Sequence, residues 1–472
     1  MASSRRPAPD TGASAVVDTL VGWLAGPAAG RRILVAVSGG LDSMVLLDAL
    51  AGLVPPERLH VGHVDHALQP GSGRWARFVA ERARAIGVDA TSHRLDGMPA
   101  AGDSVEAWAR RARYAALDRI ATDAGCDLVA CAHHADDQVE TLLIALGRGA
   151  GPRGLAAMAS AHPAERGLHR PLLALPRIAL EAHARARGLE FVQDPSNGDC
   201  RFARNALRHQ ALPALEAAMP GFRVGAMRAI GHLAEARALL AGIAAEELDR
   251  LVDADGRLDA RGLAGLSDAR HALVLRAWVD GQGLPAPSAA RLADWRRQLG
   301  AAGAPPLRLP HAGAWLCRYR DSVWIERGGI DATPGEIRWH WQGEPDLALP
   351  DHDARLRIVP GGPLPADWLR SRPLLVRRAR AGDRLRTVAG RPSRTLKNLW
   401  QERAVPPWLR TGLPVVEIDG RVVYAAGFGC NVDGNAVAAS GGGGSAGVGL
   451  RFEPRAADDP RRRFLCAGPD AS

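Results

Sequence analysis

The chain has 472 residues, six scattered cysteines and a formal net charge of +9 at neutral pH. Its length predicts two to four domains, and its positive charge indicates an anionic partner. No apolar run approaches a membrane span, no apolar stretch follows the first ten residues as in an export signal, and there is no Cys-x-x-Cys pair typical of zinc or redox sites. The composition therefore favours a reduced, cytoplasmic protein without a membrane segment.

Strand-like and helix-like runs alternate in a region that we predict to be the first large domain, residues 31–220, after a short disordered extension at 1–30. The predicted strands are 33–37, 59–64, 90–95, 128–132 and 190–192. The predicted helices are 42–50, 73–86, 104–124, 136–146 and 177–187. This alternation predicts an α/β fold with a doubly wound, Rossmann-like parallel sheet that binds ligands at the carboxyl ends of its strands.

A loop suited to phosphate binding follows the first predicted strand. It consists of Ser38, Gly39, Gly40, Leu41, Asp42 and Ser43. The glycines let the backbone approach a ligand, the helix start offers free N–H groups, and the serine hydroxyls add donors. We therefore expect the loop to hold a pyrophosphate-sized anion, with Asp42 holding Mg²⁺ against it. The loop lacks the lysine of a Walker A motif and resembles the S-G-G-x-D-S PP-loop of ATP pyrophosphatases, which split ATP between its α- and β-phosphates.

Polar residues also follow other predicted strands. His63 and Asp65 close the second strand and are predicted to border the nucleotide, or else are ordinary polar residues at a strand end. Asp136, Asp137 and Glu140 open the helix after the fourth strand. The first two suit the helix dipole, and the three together can hold Mg²⁺ or a substrate ammonium.

Arginines near these strand ends are candidates for binding phosphate. Arg110 and Arg113 share a helix face and can clamp a phosphate, or else belong to a salt-bridged surface helix. Arg201 and Arg204, in a basic turn that leads into a helix, can contact an RNA backbone or the substrate.

The remainder of the chain predicts two more domains. Residues 221–330 have a mainly helical pattern, with short strand-like pieces at 315–319 and 323–326. Residues 337–453 predict a small α+β domain that contains a flexible glycine-rich insertion at 440–449. Residues 454–472 are expected to form a disordered tail.

The third predicted domain carries the charge excess. Eleven Arg or Lys residues and two acidic residues lie between positions 372 and 410, a net of +9 that equals the excess of the whole chain. A solvated charged surface is one interpretation. A basic stripe of this density is more typical of a nucleic-acid-binding surface.

Taken together, these motifs resemble the tRNA(Ile)-lysidine synthetases. The strings that carry the resemblance are Ser38–Ser43, His63–His66, Ala109–Tyr114, His133–Gln138, Gly147–Leu155, Asp194–Asn205, Gly382–Arg384, Leu396–Lys397, Gln401–Glu402 and Val405–Arg410. The chain departs from the family where Asn398 follows Lys397 in place of a second lysine, where Ala67 replaces a glycine, and in the 440–449 insertion.

The resemblance implies that ATP adenylates the C2 oxygen of the wobble cytidine in a CAU-anticodon tRNA(Ile). Free L-lysine then attacks C2 and gives lysidine, AMP and diphosphate. Within this reaction, Asp42, Arg113, Asp136 and Asp137 are the candidate catalytic residues. Asp42 together with Asp136 or Asp137, of which we select Asp136, is the candidate Mg²⁺ site, and Asp136, Asp137 and Glu140 are candidates for the lysine ammonium; the sequence does not separate these two roles. The implied tRNA contacts are Arg201, Arg204, Arg384, Arg394, Lys397, Arg403 and Arg410. The oligomeric state stays open.

Three other functions share parts of this pattern. A PP-loop tRNA thiolase would use the same ATP step, but it normally needs cysteines that carry sulfur or hold a cluster. A PP-loop amidating synthetase for a small molecule would not need the basic third domain. A non-catalytic RNA-binding protein would show no ATP turnover, and the intact loop and acid pair argue against it.

Overall fold

The structure, a computed structural model, describes residues 11–65, 72–95, 97, 105–162, 167–194, 198–299, 305–328, 334–432, 447–456 and 459–465. The chain divides into two compact units, Met1–Leu239 and Leu240–Ser472. Parts of three predicted segments lie outside the described residues: 1–10 of the N-terminal extension, 440–446 of the glycine-rich insertion, and 457–458 and 466–472 of the tail. In the described parts of the chain, no helix is long and apolar enough to cross a bilayer.

The first unit is built from alternating strands and helices. Its strands are β1 Ile33–Ala36, β2 Leu59–Asp65, β3 Ala90–Arg94, β4 Leu128–Ala130, β5 Ala161–His162 and β6 Leu168–His169. Its helices are α1 Thr11–Ala25, α2 Leu41–Ala51, α3 Ser72–Ala85, α4 Val105–Asp123, α5 Ala135–Gly147, α6 Pro152–Leu155, α7 Arg177–Ala186, α8 Ala203–Ala206 and α9 Leu212–Ala218, and α10 Phe222–Leu251 contains the boundary between the units. A π-helical turn, Leu207–Ala211, separates α8 from α9.

The strands form one sheet in the order β3-β2-β1-β4-β6-β5. All neighbours are parallel except β5, which runs antiparallel to β6. The predicted doubly wound sheet is thus confirmed. Because β1 lies between β2 and β4, the strand order reverses at β1, which is where ligands bind in open sheets of this kind.

Helices cover both faces of this sheet. Ile33 and Val35 of β1 belong to one apolar cluster, and Leu34 belongs to another on the opposite face. Side chains alternate between the faces of a strand, so a strand that is covered on both sides reads as a continuous apolar run. For this reason β1 could be predicted from the sequence.

Two predictions for this unit differ from the structure. The predicted strand at 190–192 does not form, and the sheet instead continues from β4 to β6, a strand of two residues. Residues 11–25, expected in a disordered extension, form α1, and Val16 and Leu20 are fully buried in the core of the unit.

In its described residues, the second unit contains four antiparallel sheets. Its helices after α10 are α11 Ala260–Ala264, α12 Asp268–Gly281, α13 Ala289–Leu299, α14 Ala366–Arg370, α15 Leu396–Glu402 and α16 Pro407–Arg410. Its strands are β7 Leu258–Asp259, β8 Leu307–His311, β9 Ala314–Tyr319, β10 Ser322–Arg327, β11 Ile337–Trp339, β12 Asp346–Leu349, β13 Ala354–Pro365, β14 Leu374–Arg378, β15 Arg384–Leu385, β16 Arg394–Thr395, β17 Pro414–Ile418, β18 Arg421–Ala425, β19 Gly429–Cys430 and β20 Gly447–Pro454. The sheets have the orders β7-β10-β9-β8, β11-β14-β17-β18-β19, β12-β13-β20 and β15-β16.

Two parts of this unit have separate apolar cores. The core around Trp295 joins α11, α12 and α13 to the four-stranded sheet, and the core around Trp400 joins the five- and three-stranded sheets. The two parts meet where Trp408 stacks on Trp324 at 6.0 Å and its Nε1–H donates to Glu326 at 3.3 Å. The strand-like pieces predicted at 315–319 and 323–326 are present in β9 and β10.

The tail also contains ordered structure where it is described. Arg461, expected in a disordered segment, is buried and donates to Asp459 at 2.6 Å and to the carbonyls of His352 and Gly412 at 2.6 and 3.1 Å. This part of the chain therefore packs against the rest of the second unit.

Candidate active site

A cavity of about 810 Å³ lies at the carboxyl ends of β1, β2 and β4. The predicted site residues that line it are Ser38, Gly40, Leu41, Asp42, Ser43, His63, Asp65, Arg113 and Asp137. Asp136 and Glu140 do not line it, although they lie on the same helix as Asp137. The structure thus brings most of the predicted residues together and separates the acidic ones into two groups.

The loop 38–43 is held in shape by its own hydroxyls and by a neighbouring segment. Ser43 Oγ donates to the carbonyl of Gly40 at 2.9 Å and accepts from the backbone N–H of Ser38 at 3.2 Å. Gly39 has φ +91°, and its carbonyl accepts from the backbone N–H of Val192 at 2.9 Å. The segment predicted as a strand thus supports the loop instead of joining the sheet.

Asp42 opens helix α2 inside the cavity, beside a buried histidine. Its Oδ2 lies 3.7 Å from Nε2 of His134, which has no exposed surface, and its Oδ1 is buried without a hydrogen-bond partner among the described residues. Burial alone would raise the pKa of Asp42, but the interaction with His134 and the charges of Arg177 and Arg208 outweigh it and lower that pKa. Asp42 is therefore an ionised carboxylate with one oxygen available.

Asp137 is tied to the start of helix α5 and to an arginine. Its Oδ2 accepts from the backbone N–H of His134 at 3.1 Å, which caps the helix, and its Oδ1 accepts from Nη2 of Arg208 at 3.3 Å. A carboxylate has about four acceptor positions. Asp137 therefore keeps acceptor capacity toward the cavity that it lines.

Both oxygens of Asp136 are engaged outside the cavity. Oδ2 accepts from the backbone N–H of Arg177, the first residue of α7, at 2.9 Å, and Oδ1 accepts from Arg223. Its contacts make it a link between three helices of the first unit. The predicted magnesium and lysine roles of Asp136 stay predictions.

Glu140 is fully buried and paired with Arg208. Its two oxygens accept from Nε and Nη2 of that arginine at 2.7 and 3.2 Å, and Arg204 Nε lies 3.7 Å away. Burial would lower the pKa of Arg208, but Glu140, Asp137 and Asp42 raise it, so the guanidinium is charged. Glu140 holds Arg208 in place, and its predicted contact with lysine stays a prediction.

His63 and Asp65 line the cavity and are buried, and their predicted position beside the nucleotide stays a prediction. Nδ1 of His63 donates to the carbonyl of Val37 at 2.8 Å. Burial lowers the pKa of His63, which keeps the imidazole neutral at neutral pH. The histidine therefore fixes the end of β1 at the point where the loop begins.

A group of arginines lies beside His133 at the end of β4. The guanidiniums of Arg110 and Arg113 lie 5.3 and 5.2 Å from the ring centre of Tyr114, and Arg113 lines the cavity. Burial, followed by the charges of Arg113 and Arg170 among others, holds the pKa of His133 well below its usual value. The positive charge of these arginines favours the binding of an anion. His133, being neutral, adds nothing to that charge.

Comparisons with known proteins give the chain a family. Three family models match it: the PP-loop domain at 15–215, the TilS substrate binding domain at 258–324, and the TilS substrate C-terminal domain at 374–443. The tRNA(Ile)-lysidine synthase of Ralstonia nicotianae is 40% identical over 413 residues, covering 84% of this chain and 88% of that relative. The chain belongs to the tRNA(Ile)-lysidine synthase family.

Two further relatives, both tRNA(Ile)-lysidine synthases, support this assignment. The Azoarcus sp. protein is 40% identical, covering 86% of this chain and 88% of its own, and the Methylococcus capsulatus protein is 38% identical, covering 87% and 94%. The chain is therefore a ligase of the PP-loop family, and membership of that family implies the use of ATP.

The two arginines of the first unit that are predicted to contact tRNA differ in their exposure and in their hydrogen-bond partners. Arg201 is largely exposed and pairs with Asp199 at 2.7 Å. Arg204 is less exposed, and its Nη2 donates to Thr141 at 3.4 Å. Both lie just before the π-helical turn that carries Arg208.

Only some of the basic residues between positions 372 and 410 are exposed and without an acidic partner. Arg377 is buried between Asp383 and Glu417, and Arg380 pairs with Glu336. Charge counted along the sequence therefore overstates the charge available to a nucleic acid.

Four of the predicted tRNA contacts are exposed and lie on the β15–β16 hairpin or on and just after α15. We call Arg384, Arg394, Lys397 and Arg403 the basic surface. Arg384 lies opposite Thr395 in the β15–β16 pair, and Arg394 pairs with Glu402 at 2.7 Å. Arg403 lies over the ring of Phe428 at 4.4 Å.

Arg410 differs from these four residues. Its Nε donates to the carbonyl of Val405 at 2.9 Å and its Nη2 donates to Tyr319 Oη at 3.1 Å. It thus links the end of α16 to β9. Its predicted contact with tRNA stays a prediction.

Several cavity residues were not singled out from the sequence. They are Trp75, Cys131, Arg177, Phe191, Gln193 and His209. Arg177 had a usable signal, because it directly follows a proline at a helix start. The others come from segments whose approach to β1 depends on tertiary packing.

Proposed function

We propose that the chain joins L-lysine to C2 of the wobble cytidine of CAU-anticodon tRNA(Ile) through an adenylated tRNA, releasing AMP and diphosphate. The observation that carries the proposal is that the 38–43 loop, with Asp42, and Asp137 line one cavity at the point where the strand order of the sheet reverses. The chain is also about 40% identical to a tRNA(Ile)-lysidine synthase. The first substrates, ATP and tRNA, imply a cytoplasmic enzyme.

The adenylation step uses the loop. The C2 oxygen of cytidine attacks the α-phosphorus of ATP, the bond from that phosphorus to the bridging oxygen breaks, and diphosphate leaves. The backbone N–H groups at the start of α2 and the hydroxyl of Ser38 would bind the departing diphosphate, and Ser43, whose hydroxyl donates to Gly40, would keep the loop in shape. Arg113, in the same cavity, would stabilise the negative charge that develops on the phosphates.

The donor set fits Mg²⁺. Asp42 has a buried oxygen without a hydrogen-bond partner among the described residues, and hydroxyl oxygens of Ser38 and Ser43 lie in the same cavity. Magnesium in phosphate-transferring sites is typically bound by one or two carboxylates together with the substrate phosphates. Within the described ranges, no group of three His, Cys, Asp or Glu residues is placed to hold a metal ion by itself. Asp42 would therefore hold the ion with ATP, and the ion would offset the phosphate charge.

The lysine step follows in the same cavity. The side-chain amine of lysine, on an unhindered primary carbon, attacks C2 as its nitrogen loses a proton, and the C2–oxygen bond breaks as AMP leaves. Of the three acidic residues predicted to hold lysine, Asp137 alone lines the cavity, so we assign the α-ammonium to it. The target base must leave its stack to reach this site, which costs little in a single-stranded anticodon loop.

The second unit would bind the body of the tRNA. Its basic surface offers exposed cations at a hairpin and helix, and phosphate contacts of this kind give affinity without base specificity. A substitution that inactivates the catalytic site would therefore leave most of the tRNA affinity unchanged.

The experiment is incorporation of radiolabelled L-lysine into a CAU-anticodon tRNA(Ile) transcript with ATP and Mg²⁺. Label that requires ATP and is absent with methionine tRNA is the expected result. AMP release with tRNA but without lysine incorporation would contradict the proposed nucleophile, and sulfur transfer would be examined next. Absence of both would contradict the function.

A further inference from the structure

Trp75 lines the cavity from helix α3, and neither the adenylation step nor the lysine step uses it. It lies four residues before Val79, so the two side chains share one face of α3. A Cβ placed on Gly39 would lie 3.4 Å from Cγ2 of Val79. Trp75 therefore extends, by one helical turn, the surface of α3 that packs against the phosphate-binding loop.

The indole ring of Trp75 is available to a ligand. The residue is partly buried, and in the part of the chain that the structure describes it has no hydrogen bond, ring contact or cation–π contact. Phe78, on the same helix, differs because the guanidinium of Arg82 lies 5.4 Å from its ring centre. A large flat ring that lines a cavity offers a surface for stacking.

A second aromatic residue lines the cavity close to the same glycine. Phe191 precedes Val192, whose backbone N–H donates to the carbonyl of Gly39 at 2.9 Å. The Cγ2 atom of Val192 would lie 3.7 Å from a Cβ on Gly39. Trp75 and Phe191 therefore come from two segments that both pack against the loop, and we call these two residues the aromatic wall.

Two exposed arginines accompany Trp75 in the first two turns of α3. Arg74 and Arg77 do not line the cavity, and within the described ranges neither pairs with an acidic group. In the proposed reaction the phosphates of ATP occupy the 38–43 loop, which leaves these cations for other phosphates. Aromatic rings beside cations that follow a phosphate backbone are typical of surfaces that bind single-stranded nucleic acid.

We propose that Trp75 stacks on the anticodon base directly adjoining the wobble cytidine, while Arg74 and Arg77 contact the phosphates of that strand. The wobble base must leave its stack to reach the α-phosphorus, so an adjoining base loses a stacking partner. The ring of Trp75 replaces that partner. This inference rests on the proposed function, because that function brings the wobble cytidine into this cavity.

The other two bases of the reaction have a different apolar wall. It lies on the sheet face that α4 covers and consists of Ala36, Val64, Leu117 and Cys131. Arg113, proposed to stabilise the phosphate charge, lies four residues before Leu117 on α4 and shares its face. The wobble base must bond to the α-phosphorus and adenine is joined to it through ribose, whereas an adjoining base is free to lie against the aromatic wall.

The test measures whether the effect of Trp75 depends on one particular RNA base. Values of kcat and KM for tRNA and for ATP are measured for the unsubstituted full chain, Trp75→Ala, Trp75→Phe and Trp108→Ala. Trp108 is the matched control, a partly buried tryptophan of the first unit that does not line the cavity. Three RNAs are used: the intact CAU-anticodon tRNA(Ile), and two versions with an abasic nucleotide directly before or directly after the wobble cytidine.

With intact tRNA, Trp75→Ala should lower kcat/KM by about 10-fold through a higher KM for tRNA, as the loss of one base–aromatic stack predicts. The KM for ATP should change by less than about twofold, and Trp75→Phe should retain most of the activity. One of the two abasic RNAs should cost the unsubstituted protein about 10-fold and show no further loss with Trp75→Ala. Trp108→Ala should behave as the unsubstituted protein on every RNA.

Two results would overturn the inference and leave the proposed function intact. One is the same loss for Trp75→Ala on all three RNAs, which would show a structural role. The other is a higher KM for ATP with an unchanged KM for tRNA, which would assign the ring to adenine.

A folding defect and a failed reaction each have their own readout. If thermal unfolding shows Trp75→Ala to be unfolded, Trp75→Leu takes its place, since leucine keeps apolar volume without a flat ring, and full activity of Trp75→Leu would overturn the inference. Absence of lysidine with the unsubstituted protein would contradict the proposed function. Filter binding of the three RNAs by the same variants then decides the inference, and equal effects of Trp75→Ala on all three would overturn it.

Discussion

Asp42 Oδ2 lies 3.7 Å from Nε2 of the fully buried His134, and Asp42 Oδ1 has no hydrogen-bond partner among the described residues. Burying an oxygen of an ionised carboxylate without a hydrogen-bond partner is energetically unfavourable unless a ligand binds to that oxygen. In the proposed function, a cation bound between Asp42 and a phosphate would provide that ligand. We therefore predict that the ATP step depends strongly on Asp42.

Asp42→Asn should lower ATP-dependent AMP release by about 100-fold or more, because it keeps the shape of the side chain and removes the charge. AMP is measured by chromatography, and tRNA affinity by filter binding should stay within about threefold. The matched control is Asp48→Asn, on the same helix but paired with His183 and Arg187 outside the cavity. Equal AMP release by Asp42→Asn and Asp48→Asn would contradict the role of Asp42.

Asp48 should affect stability in a pH-dependent way. Burial would raise its pKa, but the hydrogen bonds and charges of His183 and Arg187 lower it overall. A carboxylate with a lowered folded pKa stabilises the fold fully above its unfolded pKa of about 3.9, and that contribution is lost as pH falls through the folded pKa.

Asp48→Asn should therefore lower the free energy of unfolding by about 1 kcal/mol at pH 7, and less below pH 4. Urea unfolding across that range measures the difference. A destabilisation that is constant with pH would show that the charge of Asp48 contributes nothing.

Gly39→Ala should damage the loop. The φ of +91° is unfavourable for a residue with a side chain, and a Cβ there would lie 3.4 Å from Val79 Cγ2 and 3.7 Å from Val192 Cγ2. We expect a loss of about 1–3 kcal/mol in unfolding free energy and weaker ATP binding. The control is Gly22→Ala in α1, where an added Cβ meets nothing within 4 Å. ATP affinity equal in the two variants would contradict the loop geometry.

Much of the first unit could be predicted because local signals and tertiary structure agree there. The apolar run of β1, the glycines of the loop and the helix start of α2 are adjacent in sequence, so their arrangement is local. Strand β6 has two residues and carries no periodicity that could reveal it. The segment at 190–192 is apolar enough for a strand but hydrogen-bonds to Gly39 instead.

The different positions of the acidic residues in the site could not be predicted from the sequence. Asp136, Asp137 and Glu140 are neighbours on one helix, and nothing local distinguishes them. Their partners Arg177, Arg208 and Arg223 come from helices 40 or more residues away. These pairings, not the acidic side chains themselves, decide that Asp137 lines the cavity and that Glu140 holds an arginine.

The basic surface should govern salt-dependent tRNA binding. Replacing Arg384, Lys397 and Arg403 together by Gln should weaken tRNA binding and reduce the slope of log K against log salt by about 0.7–0.9 for each phosphate that is no longer neutralised. The control removes the same charge from Arg84, Arg185 and Arg187, exposed residues of the first unit. An unchanged slope in the first triple variant would exclude this surface from the interface.

The most direct test of the central claim is the mass of the modified nucleoside. A CAU-anticodon tRNA(Ile) transcript is incubated with the full chain, ATP, Mg²⁺ and L-lysine, digested to nucleosides and analysed by mass spectrometry. The account predicts one cytidine, at the wobble position, whose mass equals cytidine plus lysine minus water. A cytidine carrying sulfur in place of oxygen, or an unchanged wobble cytidine despite AMP release, would contradict it.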